Sequence, residues 1–258
     1  MENNNIIVRL ATPDDKHFAE TITIEMEESA KARGTGIAKR SPEYIETKME
    51  EGKAVIAVTT EGVWVGFCYI EAWEHGKYVA NSGLIVSPAF RKSGVAKDIK
   101  RRTFALSREK YPDAKIFGLT TGLAVMKINS DLGYEPVTYS ELTNDEEFWK
   151  GCRSCVNYEI LKSKERKNCM CTAMLFDPVE AAAKVEEARL RDLAQTVVTS
   201  EGELHHMKKR EFQGNFKLFE RWVRFKQFVL LRGWKKDGSN GDSSSDKKNS
   251  ILSLFFFW

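Results

Sequence analysis

The chain has 258 residues, 42% of them hydrophobic and 30% charged, with a formal net charge of +3. This is the composition of a globular domain with an appendage, which excludes a low-complexity chain. The near-neutral balance does not call for a nucleic-acid partner, and no run approaches the ~20 apolar residues of a membrane-spanning helix. The opening MENNNIIVRL lacks the basic start and apolar core of a signal peptide, so a cytoplasmic location is expected. Five cysteines in such a chain read as thiols or metal ligands rather than disulfides.

Ile6 to Leu10 predicts a strand, and Phe18, Ile22, Met26 and Ala30 then recur at helical spacing. That helix ends near Gly34-Thr35-Gly36. Ser41-Pro42-Glu43 starts a second helix, with Ser as cap and Pro at the first helical position. KAVIAVT (53–59) and VWVGFCYIE (63–71) predict two strands of a hairpin, and a third begins at Tyr78. KIFGLTT (115–121) predicts a buried strand and Leu123–Leu132 a helix stopped by Gly133. Strands are expected at 134–139 and 169–176. The order implies an α/β fold, with helices on both faces of a mixed sheet.

The stretch from Asn81 to Arg102 organises the rest. Gly83-Leu84-Ile85-Val86 is a short apolar run stopped by Ser87-Pro88. Arg91-Lys92-Ser93-Gly94-Val95-Ala96 is a small-residue loop, and Lys97 opens a helix. Strand, loop and helix start in that order make an anion cradle, because a helix N-terminus offers unpaired N–H groups and a partial positive charge. The glycine spacings of the P-loop and of the dinucleotide fingerprint are both missing.

The loop resembles the Arg/Gln-x-x-Gly-x-Gly/Ala loop of the GNAT superfamily of N-acetyltransferases, which cradles the coenzyme A pyrophosphate. Val86-Ser87-Pro88 before it and Leu132-Gly133-Tyr134 after it add to the likeness, which covers about residues 5–177. ARGTGIAKRSPEYI (32–45), FGLTTGLAVMKIN (117–129) and FWKGCRSC (148–155) resemble a Bacteroidetes acetyltransferase subgroup associated with arginine biosynthesis. The resemblance implies a GNAT-like acyltransferase fold with a mostly antiparallel sheet. It also implies acetyl-CoA or another short acyl-CoA as co-substrate, and an amine such as glutamate or an arginine-pathway metabolite as acceptor.

On that resemblance the pantetheine arm would lie along Leu84, Ile85 and Val86, where a backbone N–H would polarise the thioester carbonyl. Arg91 to Ala96 would hold the pyrophosphate. Glu71 is the first candidate for general base, with Glu74 and His75 behind it; a solvated strand-end carboxylate is its plainer reading. Family members commonly carry Tyr four residues before the Gly of Leu-Gly-Phe. Here that position is Asn129, leaving Tyr134 and Tyr139 as nearby proton donors. Arg33, Lys39 and Arg40, in the link between the first two helices, suit a dicarboxylic acceptor, since Arg grips carboxylate in bidentate fashion.

Cys152, Cys155, Cys169 and Cys171 form two close pairs that fit a tetrahedral structural zinc or, more plainly, reduced cysteines. Asp177-Pro178 ends the domain (1–177), and a helical extension comes next (178–236). Between Lys208 and Lys236, ten Lys/Arg face two Glu, a local +8. The basic aromatic segment 216–234 suits an anionic membrane surface or a homodimer contact, and 237–258 reads as a disordered tail. The function expected is acyl-CoA-dependent N-acylation of a small amine. The rival readings are peptide N-acetylation, a CoA-binding regulatory module and a membrane-attached adaptor.

Overall fold

The computed structural model describes residues 5–32, 34, 39–194, 196–198 and 204–206. Its elements in chain order are β1 (Ile6–Leu10), α1 (Ala19–Ala32), α2 (Pro42–Glu50), β2 (Ala54–Thr59), β3 (Trp64–Trp73), β4 (Tyr78–Val86), α3 (Val95–Lys110), β5 (Lys115–Thr120), α4 (Leu123–Asp131) and β6 (Glu135–Val137). Next come α5 (Glu146–Lys150), α6 (Tyr158–Ser163), β7 (Thr172–Phe176), α7 (Pro178–Ala194), β8 (Thr196–Val198) and β9 (Leu204–His206).

Seven strands form one sheet in the order β1-β2-β3-β4-β5-β7-β6. Every neighbouring pair is antiparallel except β4 with β5. This is the mixed α/β arrangement expected from the sequence. Strand alternation divides the core between two faces. Ile56, Val58, Phe67 and Tyr69 turn toward Ile22 and Met26 of α1 and Ile45 and Met49 of α2. Cys68 turns the other way, toward α3, where Ile99, Thr103 and Leu106 are buried. α2 begins as its sequence predicts, with Ser41 Oγ accepting from the Tyr44 N–H and Pro42 in first position.

The region between β6 and β7 departs from expectation. α5 and α6 have five and six residues, too few for a helical period to show in the sequence, which predicts no helix there. They cover the second half of the sheet, where Trp149 and Leu161 pack with Ala80, Phe117, Ala173 and Leu175. β6 has only three residues, and β7 begins at Thr172 rather than Cys169. α7 opens the helical extension expected after Asp177, with Val179 and Val185 in solvent. Segment 216–234 and the tail 237–258 lie outside the described residues. Among the described residues no helix is long and apolar enough to cross a membrane.

Candidate active site

The parallel pair β4–β5 parts before either strand ends. Their register runs Tyr78 with Lys115, Val79 with Ile116 and Ala80 with Phe117, and then stops, although β4 continues to Val86 and β5 to Thr120. From Asn81 onward β4 therefore keeps one backbone edge unpaired, available to an extended ligand. Its other edge carries a bulge. Phe67 faces Ile85 and Tyr69 faces Ser82, so Gly83 and Leu84 together oppose the single Cys68. Gly83 takes a φ of 68°, and a Cβ there would stand 2.5 Å from the Tyr69 ring. Only glycine meets both conditions, which fixes the kink beside Leu84.

At the far end of β4 the chain turns through Pro88–Phe90 into the loop before α3. Lys92 and Gly94 both have positive φ, 67° and 92°. A Cβ on Gly94 would meet nothing within 4 Å, so the backbone there is open to an approaching group. No side chain caps α3, which leaves its first N–H groups facing that space. Ser93 Oγ donates to the Phe90 carbonyl and closes the turn. Arg91 is committed elsewhere: its guanidinium donates to the Val86 carbonyl (3.1 Å), to Glu25 (2.8 Å) and to Ser29 (2.6 Å). It ties the loop to α1. What the loop itself offers an anion is backbone, the helix end and the exposed Lys92.

On the α1–α2 face, Tyr69, Glu71, Tyr44, Lys48 and Arg40 form one connected cluster. Arg40 Nε donates to the Tyr69 hydroxyl (3.0 Å), and its guanidinium lies 5.0 Å from the Tyr44 ring centre. The Tyr44 hydroxyl donates to Glu71 Oε2, and Lys48 Nζ reaches both Glu71 oxygens at 3.0 and 2.9 Å. Glu71 thus uses three of the roughly four acceptor positions a carboxylate has, leaving about one. Burial holds the Tyr44 phenol well above its ordinary pKa, with Tyr69 and Glu71 adding to the effect, so it stays a donor. Lys39 is turned to the surface, paired with Glu27 at 3.1 Å, and its backbone N–H donates to Ser154 Oγ. Arg33 lies outside the described residues. Glu74 is spent on Thr143 Oγ1 and the Asn144 N–H.

A buried polar layer lies beside the point where β4 and β5 part. The Asn81 side chain donates to Ser107 Oγ (2.8 Å) and accepts from the Tyr134 hydroxyl (3.0 Å). Lys100 Nζ stands 3.5 Å from the same Asn81 oxygen and 5.4 Å from the Tyr134 ring centre. Burial pushes the Lys100 ammonium down and the Tyr134 phenol up. Asn129 Nδ2 meets Met174 Sδ at 3.7 Å, while its buried Oδ1 has no hydrogen-bond partner. A Cβ built on Gly118 would lie 3.5 Å from the Asn81 carbonyl and 3.9 Å from Asn129 Nδ2. Asn129 therefore sits beside the point where the strands part, and Tyr134 lies behind it, locked onto Asn81. Tyr139 is further off, its hydroxyl donating to the Cys171 carbonyl.

Sequence reasoning misses Lys100, Lys48, Tyr44 and Tyr69. For Lys100 a signal exists. It shares a helical stripe with Ala96, Thr103 and Ser107, but its charged neighbours in KDIKRR mask the stripe.

The four cysteines all lie between β6 and β7, near enough to act on one another's thiols. Among the described residues no three His, Cys, Asp or Glu side chains are grouped to hold a metal ion. Cys169 and Cys171 precede β7 instead of alternating along it. Cys169 Sγ donates to the Asn157 carbonyl, while Cys155 Sγ accepts the Asn157 N–H. Burial, with Cys155 and Cys169 adding, pushes the Cys152 thiol up to about 11, so it is a thiol at neutral pH.

No protein-family model matches the chain, and no curated protein sequence matches it. Solved structures resemble it. One is N-acetylglutamate synthase from Neisseria gonorrhoeae complexed with coenzyme A and N-acetyl-glutamate, 16% identical over 67% of this chain and 35% of that one, TM-score 0.48. The protein Rv2747 from Mycobacterium tuberculosis, in complex with CoA, is 18% identical over 66% of this chain and 98% of that one, TM-score 0.47. A GNAT superfamily phosphinothricin acetyltransferase from Sinorhizobium meliloti, in complex with acetyl-CoA, is 16% identical over 67% and 88%, TM-score 0.45. The chain spans about a third of the synthase. At these identities and scores the likeness decides nothing about activity.

Proposed function

We propose that this chain is an acyl-CoA-dependent N-acyltransferase that moves an acetyl or other short acyl group onto the amino group of a small acidic acceptor. One juxtaposition carries the reading. The unpaired edge of β4 leads directly to an uncapped helix start, across a glycine with open space above it. An extended arm ending in a pyrophosphate fits this shape. The arm pairs with strand backbone from Asn81 to Val86, and the phosphates meet the first N–H groups of α3 and Lys92.

Bound acyl-CoA supplies an activated thioester. The bulge at Gly83-Leu84 offers backbone N–H to its carbonyl oxygen; one such donor is typically worth ~2.7–4 kcal/mol in the transition state. The acceptor approaches from the α1–α2 face. There the Arg40 guanidinium keeps donors beyond those given to Tyr69 and Lys39, enough to hold a carboxylate. Glu71, oriented by Tyr44 and Lys48, takes the ammonium proton through its remaining acceptor position or a water. Much of the rate then comes from positioning. Glutamate or a related amino acid suits Arg40 better than a lysine-bearing peptide does.

A thiol-release assay with acetyl-CoA and succinyl-CoA against a panel of amino acids tests this. Release with an acidic amine is the expected outcome; no release with any acceptor overturns the reading. A second reading has one observation in its favour. Asn129 stands where a phenol would serve the leaving thiolate, and Tyr134 is engaged by Asn81, which suits a CoA-binding regulatory module. Tight CoA binding without turnover would select it. On the enzyme reading the thiolate leaves largely unassisted, so Asn129→Ala lowers kcat less than tenfold in steady-state assays.

A further inference from the structure

The helical layer between β6 and β7 carries an open pocket of about 350 Å³. All of its lining residues fall between Glu146 and Arg166, and none belongs to β4, β5 or the loop before α3. It shares no lining residue with the candidate active site. Its floor is Trp149 and Leu161, both buried, with Tyr158 at the side. The volume is at the low end of the ~300–1,000 Å³ usual for ligand sites, so the ligand is small.

Charge gives the ligand's class. Four cations and two carboxylates line the cavity, and the two carboxylates are already occupied. Glu146 forms a two-pronged pair with Arg166 at 2.5 and 2.7 Å, which ties the start of α5 to the loop after α6. Glu165 pairs with Lys167 at 2.6 Å, and Lys150 pairs with Glu147. Arg153 and Lys162 have no carboxylate within ion-pair distance among the described residues. Two cations without a carboxylate in ion-pair distance, lining the same space as the Tyr158 ring and the exposed edge of Trp149, favour an anion with a flat apolar body. The guanidinium meets the anionic group, and the rings take the body face-on or edge-on. Glu165 and Arg166, in succession, hold left-handed φ values of 51° and 61°. Such values cost on the order of 1–3 kcal/mol each and concentrate at ligand clamps.

We propose that this cavity is a second binding site, for a small aromatic carboxylate or sulfonate held by Arg153 and Lys162 over Trp149. The proposal does not depend on acyl transfer. The probe is 8-anilinonaphthalene-1-sulfonate, followed by its fluorescence on the full chain. Its binding should weaken at least tenfold in R153Q/K162Q, whose replaced side chains are both exposed and so leave the fold intact. In the wild type, benzoate should displace the probe and benzyl alcohol, its uncharged analogue, should not. Unchanged affinity in R153Q/K162Q, or equal displacement by the two competitors, overturns the proposal. Circular dichroism and Tm of the variant confirm that any loss is local.

Discussion

Gly83 is where conformation and space agree on one residue. Its φ of 68° and the Tyr69 ring 2.5 Å from a would-be Cβ exclude every other side chain. Gly83→Ala should cost at least ~1–3 kcal/mol in urea unfolding, since the strain of a left-handed residue and a steric clash add. It should also weaken CoA binding, because the bulge beside Leu84 would flatten. On the proposed function, Glu71 and Arg40 would divide the acceptor face between them. Arg40→Ala should weaken glutamate binding tenfold or more by isothermal titration, about 1.4 kcal/mol. Tyr44→Phe should leave that affinity nearly unchanged and lower kcat instead, since Tyr44 orients Glu71 and does not hold the acceptor. Unchanged glutamate affinity in Arg40→Ala would remove the acceptor assignment.

At the scale of elements, the sheet divides at the β4–β5 junction. On one side α1, α2 and α3 sandwich β1 to β4; on the other α5 and α6 cover β5 and β7. Phe148 of α5 bridges the halves, with its ring centre 5.0 Å from that of Phe117 and 5.6 Å from that of Trp73. α7 contributes little to either half. Its Val179 and Val185 are exposed, and charge ties it to the sheet through the Lys184–Glu135 pair, Glu180 near Lys115, and Asp177, which caps the helix and pairs with Lys115 at 2.7 Å. Surface pairs of this kind contribute about 0–1 kcal/mol. A chain ending at residue 177 keeps Asp177 and should fold with a Tm within a few degrees of the full chain. A failure to fold would show that α7, or the chain beyond it, belongs to the core.

For the whole molecule, the buried layer of Asn81, Lys100, Tyr134 and Ser107 joins β4, α3 and the turn after α4. Lys100 has no carboxylate partner among the described residues, so its charge is costly. Its pKa is lower folded than unfolded, and the unfolded chain binds the extra proton between those two values. Stability should therefore rise with pH through the window from the depressed folded pKa up to about 10.5, with the penalty fully present below it. Lys100→Met should raise the Tm at pH 7 by several degrees, a gain of about 1–3 kcal/mol. The gain should shrink as pH approaches 10.

Much of this architecture is legible in the chain. Strand alternation, the Ser41-Pro42 helix start, and Val86-Ser87-Pro88 before a glycine loop are local patterns, each carried by residues within a few positions of one another. They determine the mixed sheet and the strand–loop–helix cradle. Tertiary structure alone decides the rest, because those features depend on residues far apart in sequence. The strands part after Ala80 and Phe117, which are 37 positions apart and meet only in the folded sheet. Arg91 reads as an anion ligand and is held instead by Glu25, 66 positions away. Cys169 and Cys171 read as alternating strand residues and lie before the strand. The cavity over Trp149 needs two helices too short to announce themselves by period. Local pattern in the sequence determined the long elements and the cradle; the short helices between β6 and β7, and which side chains are left free to act, depended on partners that only folding brings near.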